Sequence, residues 1–109
     1  MKQNKIVKFE NLGIEVDFNQ EQYGKTFKEI KIREGWRLLR IGELGEIMNY
    51  ILDNNLDIWS FFEQPFKKFK NKYIARLGAN SNRAGLNVDR GPGDSFSSLG
   101  VIFCRDIKR

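Results

Sequence analysis

The chain has 109 residues, 40% of them hydrophobic and 30% charged, with a formal charge of +5, which fits one globular domain over residues 1–109 and excludes a disordered chain. There is no histidine and one cysteine, Cys104, so an internal disulfide is excluded, and transition-metal sites and the usual acid/base and nucleophile constellations nearly so. Carboxylate-based calcium binding stays open, but no metal, cofactor or catalytic residue is assigned, and the chain is read as non-enzymatic.

"KIVKFENLGIEVDF" reads as extended chain. Ile14, Val16 and Phe18 alternate with Glu15 and Asp17, the period of a half-buried strand, and Asn11 and Gly13 bracket a turn before it. The N-terminus has no apolar signal core and nothing downstream could span a bilayer, so a soluble protein without membrane insertion is expected. Display on a virion or cell surface would need another export route.

"GKTFKEIKIREG" predicts a first helix, with Phe27 and Ile30 on one face and Gly35 as its stop. "GELGEIMNYILDNN" predicts a second. Leu44, Ile47, Met48, Ile51 and Leu52 form one apolar stripe, Glu43 and Glu46 suit its first turn, and Asn54 and Asn55 suit its end. Trp36, Leu38 and Ile41 are expected in the core beneath this second helix, and Arg37 is expected to pair with a carboxylate.

A strand is predicted from Ile58 to Phe62, with Trp59, Phe61 and Phe62 in the core. A loop carrying Lys67, Lys68, Lys70 and Lys72 follows. "KYIARLG", "GLNVD" and "LGVIFCRDI" each read as short strands, and Cys104 as a buried small hydrophobe. The order predicts an α+β fold, two helices packed on a small, mostly antiparallel sheet with a long C-terminal loop region.

The C-terminal third has an unusual composition. Lys, Glu, Gln, Met and Trp together make up 27 of 109 residues, yet none occurs in the 35 residues from Tyr73 to Ile107. In proportion, about nine would fall there. Four of the eight arginines do lie inside: Arg76, Arg83, Arg90 and Arg105. Strands and tight turns disfavour Lys, Glu and Gln. That accounts for part of the depletion, but not for polar positions that accept Arg and Asp yet never Lys or Glu.

Three segments carry a resemblance. "EGWRLLRIGELGEI" resembles the "GWRLPT…E" segment of C-type lectin fold proteins of the formylglycine-generating-enzyme-like branch. "YIARLGANSN" is similar to their "RGGSW" segment, and "LNVDRGPGDSFSSLGVIFCR" to their closing stretch. The match covers roughly residues 24 to 105. Leu39-Arg40 stands for the usual Pro-Thr, Leu77 for the first glycine of "RGGSW", and that motif's tryptophan is absent. The single cysteine and the lack of sugar-binding calcium motifs mean that the resemblance implies a C-type-lectin-like fold without either activity.

Within that fold the chain also resembles a subgroup used as display scaffolds, the variable proteins of diversity-generating retroelements. There, randomised template adenines turn asparagine codons into NNY codons, which cannot encode Lys, Glu, Gln, Met or Trp. Those five types are the ones missing from residues 73–107. The resemblance therefore implies a display module whose C-terminal surface varies to recognise a protein or another surface ligand. In "GLNVDR", alternation puts Leu86 and Val88 inside and Asn87 and Asp89 outside. Arg90 continues into a loop stiffened by Pro92. Asn80, Asn82 and Arg83 flank this surface, and Asp94, Ser95 and Phe96 complete it. Short polar side chains with an arginine and an aromatic suit protein recognition. The alternative is a nucleic-acid-binding protein using residues 65–73, "PFKKFKNKY", where lysines interleave with aromatics.

Overall fold

The computed structural model describes residues 6–63, 76–79, 84–87 and 99–107. Strand β1 (Ile6–Phe9) turns through residues 10–13 into β2 (Ile14–Glu21). Gly13, at φ +66°, takes the left-handed position this turn requires. β3 (Arg37–Leu38) precedes α1 (Leu44–Asp53), and β4 (Ile58–Phe61), β5 (Arg76–Ala79), β6 (Ala84–Asn87) and β7 (Gly100–Asp106) follow.

Six strands lie in the order β1-β2-β7-β4-β5-β6. β2 pairs antiparallel with one edge of β7. The other edge of β7 is shared: β4 takes Gly100 and Val101 in parallel, and β3 takes Phe103 and Cys104 antiparallel. The buried Ser60 hydroxyl joins β4 to β7, accepting from the Ile102 N–H at 2.9 Å and donating to the Phe61 carbonyl at 2.8 Å.

One sheet face is apolar and covered by α1. Ile14, Val16, Phe18, Ile58, Leu77, Ile102 and Cys104 pack there with Leu44, Ile47 and Ile51 of the helix. The predicted stripe buries Leu44, Ile47 and Ile51, while Met48 is partly buried. Asn54 occupies the C-cap, and Asn55 adopts φ 55°, a conformation that Asn tolerates.

The expected architecture of two helices on a sheet is corrected: among the described residues there is one α-helix. The sheet is mixed, mostly antiparallel as expected, with β4–β7 its parallel pairing among the described residues. The predicted first helix is only a 3-10 turn, Phe27–Glu29. Its extension would need the Lys31 N–H to reach the Phe27 carbonyl. Instead Lys31 N–H donates to Gln22 Oε1 at 2.8 Å, and Gln22 Nε2 donates to the Lys31 carbonyl at 2.8 Å. Long-range capture by one side-chain amide replaces the local helical bond. Phe27 and Ile30 still bury together, against Phe61, Leu99 and Trp59. Residues 22–36 thus form a non-helical strap over the second sheet face.

Core assignments divide. Phe61 and Phe62 are buried, Trp59 is partly buried, Trp36 and Leu38 are half-buried, and Ile41 is 47% exposed in the turn before α1. No helix among the described residues is long and apolar enough to cross a membrane.

Candidate ligand-binding surface

Two strands of the candidate region are built into the sheet by main-chain pairing. β5 pairs with β4 and β6 pairs with β5, both antiparallel. Leu77 is fully buried beneath α1. Gly78 lies opposite Trp59, and a Cβ at Gly78 would overlap the indole ring. Backbone hydrogen bonds and small or apolar residues therefore hold this part of the sheet.

Among the predicted contact residues, Asn87 lies in β6, paired with Arg76 at one end of the β5–β6 hairpin. Asn80, Asn82, Arg83, Asp89, Arg90, Asp94, Ser95 and Phe96 lie outside the described residues, as does the basic aromatic segment 65–73. The strands that bound these segments fix where they start and finish. Ala79 pairs with Ala84 on one side and Ile58 on the other, and Ser60 pairs with Gly100. Ala79, Ala84 and the entry into β7 at Leu99 therefore lie at one sheet end. Asn87 stands at the other, three residue steps from Ala84, or about 10 Å.

β7 brings three assignments together. Arg37 is held by Glu43 at 2.8 and 3.1 Å and by Asp106 at 3.0 Å, the carboxylate pairing expected of it. The Glu43 hydrogen bonds, then that of Asp106, hold the guanidinium in its charged form. Burial would raise the Glu43 pKa, but Arg37 and the Arg40 N–H outweigh it and hold the carboxyl below its ordinary range. Glu43 is thus a fixed structural anion. Burial pushes the Cys104 thiol up to about 12, so it is an unreactive buried group at neutral pH.

Sequence reasoning missed the charged frame under the strap. Arg33 reaches Asp17 at 2.9 Å and Glu21 at 3.3 Å, and Arg105 reaches Glu15 at 3.0 Å. The two guanidinium carbons sit 4.3 and 4.4 Å from the centroid of the Trp36 ring, stacking Arg33 and Arg105 on it. Asp17 is only 7% exposed, although alternation placed it outside. Burial raises its pKa, but the Asn19 N–H, Arg33 and the Asn19 amide outweigh that and leave it lowered. The one readable signal was the clustering of Arg33 and Trp36 at the end of the strap, just after its lysines; the carboxylates of Asp17, Glu21 and Glu15 come from β2.

An open cleft of about 350 Å³ is lined by Lys8, Glu15, Arg105, Asp106 and Ile107. Its charges are mixed, and Glu15 already pairs with Arg105. Among the described residues no group of three or more His, Cys, Asp and Glu could hold a metal ion. Comparisons with protein-family models, curated proteins and solved structures find no match to this chain.

Proposed function

We propose that the protein is a non-enzymatic binding module whose C-terminal surface, within residues 73–107, is diversified to recognise varied protein or surface ligands. The observation that carries this reading is the loss of Lys, Glu, Gln, Met and Trp from that stretch while arginine persists. A codon set of NNY type forbids the five and permits arginine. Such a surface needs a scaffold that does not depend on the varied side chains. The described part of the stretch supports that division, because Leu77, Leu99 and Val101–Cys104 are buried and β5 and β6 are tied by main-chain pairing. The unreactive thiol and the paired Glu43 supply no nucleophile or free base.

The gene tests this reading directly. The expected finding is a near-copy of its 3′ end, differing mainly at adenines and lying beside a reverse transcriptase. Sequencing of the natural locus that reveals neither would remove the diversification reading. Nucleic-acid binding through residues 65–73 is separated by salt. A phosphate-driven complex weakens steeply with rising salt, whereas neutral polar contacts respond only slightly.

A further inference from the structure

We propose that the strap, residues 22–36, is the positioning element of the recognition surface, fixing the point at which the C-terminal stretch re-enters the sheet. The inference rests on the binding reading above for its purpose, but not for its geometry.

Leu99 is the first described residue after 88–98, and the strap grips it from two sides. The Gly24 N–H donates to the Leu99 carbonyl at 3.0 Å. The Leu99 side chain is 2% exposed and clusters with Phe61, Phe27, Ile30 and Trp59. Gly100 follows, where an added Cβ would lie 2.5 Å from the Glu21 carbonyl oxygen. The chain therefore enters β7 through a slot whose walls are the end of β2 and the strap.

The strap is itself locked. The Gln22 amide bonds both main-chain groups of Lys31, and Gln22 accepts φ 56°, an uncommon conformation for a residue with a side chain. Its far end is held by Arg33 on Asp17 and Glu21. The middle is held by Phe27 and Ile30 and by one 3-10 turn, without an α-helical ladder, the profile of a unit that can open without global unfolding.

Hydrogen exchange on the full chain tests this without any ligand. Phe27→Ala should speed exchange at Gly24 and at residues 99–101 by roughly fivefold or more. Amides of β2 and α1 should keep their wild-type rates. Gln22→Ala, a milder change at the clamp, should do the same to a smaller extent. Ile51→Ala, under the other face, should raise exchange throughout. The proposal is overturned if residues 99–101 exchange at the wild-type rate in both strap variants. It is equally overturned if their acceleration matches that in β2 and α1. Local acceleration together with a locus lacking a template repeat would keep the positioning role and remove only the diversified binding.

Discussion

The two faces of the sheet are covered by different physics. Under α1 the contacts are apolar, with Ile47, Ile51, Phe18 and Leu77 essentially inaccessible to water. Under the strap the contacts are charge-assisted and aromatic: Arg33 and Arg105 stack on Trp36 and pair with Asp17, Glu21 and Glu15, with a small cluster around Phe61 and Leu99. Apolar burial is non-directional and strong per residue, so the first face carries most of the stability. Ion pairs and stacked rings contribute less but demand particular geometry, so the second face fixes where the chain goes.

Substitutions can break that contrast in graded fashion. Ile47→Ala removes a buried side chain at the centre of the helix face and is expected to cost about 2–5 kcal/mol, read as a lower urea midpoint with unchanged slope. A loss under 1 kcal/mol would mean that α1 does not carry this face. Arg37→Ala leaves Glu43 and Asp106 without their partner; with side-chain exposures of 18% for Arg37 and 13% for Glu43, the expected cost is about 2 kcal/mol. Trp36→Ala removes the ring on which both guanidinium groups stack and should cost about 1–2 kcal/mol, with the added exchange confined to the strap. Equal acceleration in α1 would erase the distinction between the faces.

Acid sharpens the comparison further. Asp17 and Glu43 have pKa values below their ordinary 3.8 and 4.5. Such groups add stability above the unfolded-state pKa and lose it as pH falls through the folded-state value. Stability should therefore hold from neutral pH down to about 5 and decline below about 4, and Asp17→Asn should remove about 1 kcal/mol of that decline. Urea titrations at several pH values measure it. A stability that fell instead on going from pH 7 to 5 would contradict the assignment. The smallest effect is expected for Asn55→Gly, where φ is 55°. Glycine should be neutral or stabilising by a few tenths of a kcal/mol, measured as a slight rise in Tm.

Where local periodicity and burial coincide, the sequence was readable. The stripe from Leu44 to Ile51 and the alternation of Ile14, Val16 and Phe18 appear where their patterns put them, β7 lies within "LGVIFCRDI", and β5 and β6 overlap "KYIARLG" and "GLNVD" at residues 76–78 and 85–87, the rest of those two stretches lying outside the described residues. Arg37 found its carboxylates, and Cys104 its buried place. The segment 24–35 misled, because Phe27 and Ile30 have helical spacing but meet apolar partners from β4 and the entry to β7 without forming a helix. For the candidate surface, the sequence defined its boundaries through an absence of residue types, while the strands show only how its ends are anchored.

Composition and order alone determined that this chain has no histidine chemistry, no internal disulfide, an amphipathic helix with a clear stripe over Leu44 to Leu52, and a C-terminal third built from a restricted set of amino acids. Tertiary structure decided the parallel β4–β7 pairing, the burial of Asp17 against Arg33, and the capture of Lys31 by Gln22. The physical reason is range. Propensity and periodicity act over a turn or a strand, whereas strand partners, buried ion pairs and side-chain clamps join residues that only the completed sheet brings within a few ångströms.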